Sequence, residues 1–190
     1  KKREELRREL GIEGKYVIGH VGRFHYAKNH EYLLQIFADL CGRKGAGAEY
    51  ALLLLGEGGG MEKVKQLAGE LGIDRCVHFL GNHSNVYDYY QAMDYFVYPS
   101  RFEGLPGTVV EAQAAGLKVL MSDTICGEVV VTGLVHTMSI TGEPSGWADY
   151  IMETGIYERR SHVEEMKRAG FDVGAQAERM MAFYETGEWK

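Results

Sequence analysis

Apolar and polar positions along the chain fall into two alternating patterns. Ala51–Leu55 is a continuous apolar run, the mark of a strand buried on both faces of a parallel sheet. Tyr16–Val21, Cys76–Leu80, Tyr95–Tyr98 and Lys118–Met121 are short runs of the same kind. Between them apolar residues recur at three- and four-residue spacing, which predicts helices with one buried face. Leu33, Ile36, Phe37, Leu40 and Cys41 form one such face, with Asn29 placed to cap the helix; Val64, Leu67, Ala68 and Leu71 form the next, closed by Gly72. Further helices are expected over 84–93 and 107–115. Strand alternating with helix predicts an α/β domain, a Rossmann-like three-layer α/β/α arrangement about a parallel sheet.

The ends read differently. The opening Lys-Lys-Arg-Glu-Glu-Leu-Arg-Arg-Glu-Leu-Gly-Ile is a mixed-charge helix with Glu4 and Arg8 one turn apart and Gly11 beyond its end, expected as a surface or hinge segment over 1–15. After Val135 the pattern is mostly helical. Helices are expected at Pro144–Glu153, at Tyr157–Ala169 (closed by Gly170), and after Asp172, the last burying Val173, Ala177, Met180, Met181 and Tyr184. Residues 16–190 thus form one domain.

Composition narrows the function. The 190 residues are 45% apolar and 25% charged, which suits a soluble globular domain, and 25 glycines against 3 prolines suit many tight turns. A net charge of -6 argues against nucleic-acid binding and against a polybasic membrane anchor. No apolar run approaches the roughly 18 residues that span a bilayer, and nothing resembles a signal peptide. Cys41, Cys76 and Cys126 lack metal-ligand spacing and read as reduced thiols. A chain beginning with Lys1 is expected to be a piece of something longer.

Ligands of such sheets bind at the carboxyl ends of the strands. Leu55-Gly-Glu-Gly-Gly-Gly60 lies at one of them, but Met61-Glu62 matches neither the dinucleotide nor the P-loop pattern, and the stretch reads as a turn. His20, His25 and His30 are five residues apart across a strand-loop junction and are expected on no common face. No Asp-x-Asp and no His/Cys cluster suggests a metal site. The informative stretch runs from Pro99 to Gly116. A glycine- and proline-rich loop carries Glu103, and a helix from about Gly107 carries Glu111. A helix N-terminus reached through glycines can hold a diphosphate. Carboxylates on either side suit hydroxyl-rich neighbours, a sugar and a ribose. Taken singly, Glu111 reads as a helix residue matched to the dipole and Glu103 as a solvated loop residue.

Phe102-Glu103-Gly104 followed by Glu111-Ala-Gln-Ala-Ala-Gly116 resembles the E-x7-E motif of the retaining glycosyltransferases of family 4, which have the GT-B fold. Gly19-His-Val-Gly22-Arg23-Phe with Lys28-Asn29 is similar to that family's donor-phosphate loop. Leu54–Gly58, Val77–Gly81 and Ala92–Ser100 are similar to its core strands, in the usual order. The resemblance implies the C-terminal, donor-binding half of a GT-B enzyme, with the N-terminal acceptor domain absent from the chain. It implies that Arg23 and Lys28 clamp the donor diphosphate beside Gly22, and that Glu103 binds the transferred sugar and Glu111 the ribose. Gly104, Leu105 and Pro106 would then lie along sugar and diphosphate, and the strand with His78 would line the base. It further implies metal-independent transfer without a cofactor, from a nucleotide-sugar donor to a glycan or lipid-linked acceptor. The wording of the loops resembles the capsular and extracellular polysaccharide branch, with a UDP-linked donor and a cytoplasmic enzyme touching the membrane peripherally. A 2-epimerase of the same architecture and a non-catalytic nucleotide-binding module are the alternatives.

Overall fold

The computed structural model describes residues 2–43 and 50–188. The chain runs α1 (Lys2–Glu9), β1 (Tyr16–Val21), α2 (His30–Gly42), β2 (Tyr50–Leu55), α3 (Met61–Glu70), β3 (Val77–Gly81), α4 (Val86–Ala92), β4 (Tyr95–Tyr98), α5 (Gly107–Ala114), β5 (Lys118–Ser122), β6 (Val135–Met138), α6 (Pro144–Thr154), α7 (Val163–Arg168) and α8 (Val173–Thr186). The six strands make one all-parallel sheet in the order β3-β2-β1-β4-β5-β6. This is the Rossmann-like α/β/α fold that the alternation predicts.

Because side chains alternate across a strand, the sheet feeds two cores. Val17, Leu53, Phe96 and Val119 point into one, with Tyr89, Ala92, Val109 and Met166 from the covering helices. Ile18, Leu52, Leu54, Val97 and Leu120 point into the other, with Leu33, Phe37, Leu40, Val64 and Trp147. The strand order reverses between β1 and β4. Their carboxyl ends lead there into loops 22–29 and 99–107, at the crevice where ligands of this fold class bind.

The opening helix is docked rather than standing clear. Leu6 is buried, and Arg3 and Arg7 both pair with the Asp94 carboxylate, which also accepts from Val17 N at 2.7 Å. Arg8 pairs with Glu13 (3.4 Å).

Four expectations need correction. Val135–Met138 is a sixth strand: its half-exposed edge position has no apolar run to announce it. The helix expected over Tyr157–Ala169 is confined to Val163–Arg168. The preceding stretch crosses the sheet's lower edge, where Lys118 N donates to Tyr157 Oη at 2.6 Å and Arg159 binds Ala115 O at 2.6 Å and Met93 O at 2.8 Å. Asn29 stands at the start of α2, but its side chain does not cap it; Nδ2 donates instead to Pro99 O. In α8, which Asp172 does cap by accepting from Ala175 N, no residue is buried, and Val173 (86% exposed), Ala177, Met180, Met181 and Tyr184 face outward. No helix among the described residues is long and apolar enough to cross a membrane.

Candidate functional site

A cleft of about 470 Å³ opens at the carboxyl ends of β1, β2 and β3, lined by Gly22, Arg23, Gly56, Glu57, Asn82, His83 and Val86 among others. Its floor is made by backbone. Gly22 N donates to Leu55 O, Gly56 N to Gly81 O, Phe24 N to Glu57 O and Gly60 N to Phe24 O, all within 3.1 Å. A Cβ on Gly56 would lie 2.2 Å from Gly22 O, and one on Gly58 would lie 2.5 Å from Phe24 O. Both glycines also have positive φ, +132° and +154°. Gly56 and Gly60 thus spend their amides on neighbouring carbonyls, and the glycine-rich segment is a turn that lets three strand ends close on one another.

Beside Gly22 the chain assembles the charged pair. A 3₁₀ turn (Tyr26–Lys28) ends in Asn29, the one non-glycine residue with positive φ among those described. This turn is stapled to the loop after β4: Arg101 N donates to Ala27 O at 2.7 Å, Asn29 Nδ2 donates to Pro99 O at 3.1 Å, and the Arg101 guanidinium lies 4.5 Å from the Tyr26 ring centre. Lys28 Nζ is thereby set between the Tyr98 hydroxyl and Glu103 Oε1, 2.6 Å away. It also lies 5.0 Å from the Tyr98 ring centre. Burial alone would lower the Lys28 pKa. The hydrogen bonds to Glu103 and Tyr98 outweigh it and hold the ammonium above its ordinary value. Arg23, exposed at the cleft, is unpaired among the described residues.

Two buried histidines lie beneath this pair. His20 Nδ1 contacts Val97 O at 2.9 Å across the β1–β4 switch, its ring stacks on Tyr98 (5.2 Å), and it meets His30 edge-on at 4.8 Å. The expectation that these two share no face is corrected: the turn over 22–29 folds His30 back onto His20. His25 is exposed and accepts from Ala27 N. Burial lowers the His20 pKa to about 4 and the His30 pKa to about 2, so both rings are neutral at pH 7. Among the described residues no group of three or more His, Cys, Asp and Glu side chains could hold a metal.

Glu111, one turn into α5, accepts from the Tyr90 hydroxyl at 2.8 Å. Tyr90 is one turn along α4 from Val86 of the cleft wall. Burial, then the Glu111 carboxylate, raises the Tyr90 pKa, so the phenol stays protonated and donates. Gly104 and Leu105 are exposed, while Pro106 is buried at the start of α5, where the first helical amides have no partner within the helix. His78 is placed elsewhere. It is the second residue of β3, paired in register with Leu53 and away from the strand's carboxyl end, and His83 lines the cleft instead, its Nε2 2.9 Å from Leu80 O. Sequence reasoning missed Tyr98 and Tyr90, the phenols that hold Lys28 and Glu111. Tyr98 had a signal, as the last residue of a strand ending at the crevice; Tyr90 had none.

The switch point thus holds the Lys28–Glu103 pair, with Arg23 on the neighbouring cleft wall and Glu111 one turn into α5; Lys28, Glu103 and Glu111 do not themselves line that cleft. The chain belongs to the glycosyl transferases group 1 family, whose profile matches residues 2–153. It is 34% identical to EpsF of Bacillus subtilis (strain 168), a protein assigned to the glycosyltransferases, over 178 residues that make up 92% of this chain and 46% of EpsF. It is 26% identical to the capsular polysaccharide biosynthesis glycosyltransferase CapH of Staphylococcus aureus, over 87% of this chain and 46% of CapH. Anabaena HepE, solved with UDP and glucose, has the same fold (TM-score 0.71, 20% identity, covering 93% of this chain and 46% of HepE). The chain therefore spans about half the length of these relatives.

Proposed function

We propose that the chain is the donor-binding half of a glycosyltransferase. In this reading a hexosyl or N-acetylhexosaminyl group moves, with retention, from a UDP-linked donor to a glycan or lipid-linked acceptor in capsular or extracellular polysaccharide synthesis. The observation that carries it is the Lys28–Glu103 pair at the β1–β4 switch point, with Arg23 on the wall of the neighbouring cleft and Glu111 one helical turn into α5.

Breaking the bond between the sugar's anomeric carbon and the diphosphate leaves negative charge on the departing phosphate oxygens. Arg23 offers a planar fork that meets two of them, and Lys28 a point charge. Pre-set cations of this kind stabilise the transition state more than the ground state. In this reading they supply the positive charge without a metal ion. Glu103 accepts from sugar hydroxyls and Glu111 from the ribose diol, each charge-assisted bond contributing about 1.5–3 kcal/mol. The α5 amides meet phosphate oxygens. The acceptor would be held by a further domain closing over this face, in an enzyme that works in the cytoplasm at the membrane surface. Alone, the chain should bind donor weakly and transfer little.

Calorimetric titration with UDP, GDP and their sugars, with and without Mg2+, tests the reading. Saturable binding of one nucleotide without metal, lost in Arg23→Ala, is the expected result. Binding that requires Mg2+, or that ignores Arg23→Ala, would overturn it.

A further inference from the structure

The group offered to the diphosphate and the group offered to the sugar are bound to each other. Lys28 Nζ and Glu103 Oε1 are 2.6 Å apart, and the two side chains are only 19% and 15% exposed. The pair is not a loose surface contact. Lys28 has three N–H donors, of which one meets Tyr98 and one Glu103. Glu103 stands on a loop stapled on both sides of Ser100, by Asn29 to Pro99 O and by Arg101 N to Ala27 O, with Thr124 Oγ1 donating to Ser100 O at 3.2 Å. With the base of the loop so held, the carboxylate stands within hydrogen-bond distance of the ammonium. Any phosphate that reaches Lys28 therefore competes with a carboxylate already bound to it. The other groups around it do not offset this: His20 and His30 are neutral, Tyr98 offers its hydroxyl to Lys28, and Arg23 lines the neighbouring cleft.

Resting on the donor-site reading above, we propose that Glu103 discriminates the sugar nucleotide from the bare nucleoside diphosphate by competing for Lys28 whenever no sugar hydroxyls engage it. A donor brings hydroxyls that donate to Glu103, so the carboxylate gains partners as the diphosphate takes Lys28. The product left after transfer brings no such hydroxyls, and its terminal phosphate carries more charge than the diester-like diphosphate of the donor. It must draw Lys28 away from a carboxylate that gains no other partner, and the Lys28–Glu103 pair re-forms as it leaves. The site then favours substrate over product at the contact where the two differ.

The test is a double-mutant cycle read by titration of the chain with UDP, UDP-glucose, GDP and GDP-mannose. Glu103→Gln keeps the shape of the side chain and removes its charge. It should tighten the bare nucleotide by about tenfold, the scale of one charge–charge contact in a partly screened site, while weakening the sugar nucleotide. In the Lys28→Met background the same change should give a much smaller gain. Glu103→Asp, which draws the charge back by one carbon, should give an intermediate gain and carries the test if the glutamine variant does not fold. A bare nucleotide that binds Glu103→Gln no better than the parent overturns the proposal and leaves the donor site standing. A full gain retained without Lys28 means that the carboxylate acts on phosphate directly, which also overturns it. Failure of all four compounds to bind the parent chain removes the donor-site reading itself.

Discussion

Asp94 concentrates more of the fold's polar bonding than any site residue, and its removal gives a measurable loss. The carboxylate accepts from Arg3, Arg7 and the amide of Val17, while Asp94 N donates to Val17 O at 2.7 Å. Asp94→Ala leaves the Val17 amide without its side-chain acceptor, at about 1–2 kcal/mol. Arg7, 12% exposed, loses its counter-charge but keeps Ala92 O (2.9 Å) and Lys15 O (3.1 Å), so about 1–2 kcal/mol is assigned to it rather than the full loss of a buried pair. Arg3, 35% exposed and still bonded to Gln91 O and Met93 O, adds only a few tenths. The sum is about 3 kcal/mol. With a urea slope of about 2 kcal/mol/M the unfolding midpoint should fall by about 1.5 M. Equilibrium urea unfolding, followed by tryptophan fluorescence and far-UV circular dichroism, reads this directly. Asp94→Asn keeps an acceptor for Val17 and should lose about half as much. A midpoint within about 0.3 M of the parent for Asp94→Ala would refute the view that α1 is tied to the sheet through this carboxylate.

Three further outcomes are expected. Gly56→Ala places a methyl 2.2 Å from a backbone carbonyl at φ +132°, and should cost about 3 kcal/mol in denaturant unfolding; a loss under 1 kcal/mol would show that the strand ends can part. Burial holds the folded pKa of His20 and His30 below the unfolded value of 6.5, so their contribution to stability is complete above about pH 6.5 and falls as pH drops, until about pH 4 for His20 and below that for His30. Each adds a slope of about 1.4 kcal/mol per pH unit in that window, and His30→Phe, which keeps the stack on Phe24, should remove one such slope; parallel pH profiles for variant and parent would contradict it. Glu111→Ala should weaken the nucleotide with or without a sugar by about 1.5–3 kcal/mol, and Tyr90→Phe by less, whereas a loss confined to the sugar nucleotide would reverse the roles given to the two carboxylates.

What could be read from sequence follows from where the physics is local. Ala51–Leu55 announces a central strand because both its faces are dry, and Tyr16–Val21 and Tyr95–Tyr98 keep the same bounds in the structure. Val135–Met138 gives no such signal, since an edge strand of four residues half in solvent has neither an apolar run nor clean alternation. Residues 157–162 read as the start of a helix but are irregular, because Tyr157 and Arg159 are held by carbonyls from distant elements. The periodicity of α8 is real, yet Val173, Ala177, Met180, Met181 and Tyr184 on that face are exposed; period specifies a face, not a partner. At the site, Glu103 and Glu111 stand out only as a pair flanking a helix start, and Arg23 and Lys28 come from the resemblance to the family's donor-phosphate loop. That Lys28 would be bonded to Glu103, and His20 packed on His30, depends on the left-handed turn at Asn29 and the staples across the crevice.

The floor of the cleft also bears on how such a domain can change its preferences. Its strand ends are joined amide to carbonyl, at Gly22, Phe24, Gly56 and Gly60, and side chains take no part in those bonds. The walls, by contrast, are side chains: Arg23, Glu57, Asn82, His83 and Val86. Replacing a wall residue alters what the cleft touches without loosening what holds it open, because the two sets of interactions share few atoms. Floor glycines have no such freedom, since a methyl at Gly56 or Gly58 meets backbone. The frame can therefore stay fixed while its ligand contacts drift one residue at a time, each step leaving a folded protein on which selection can act.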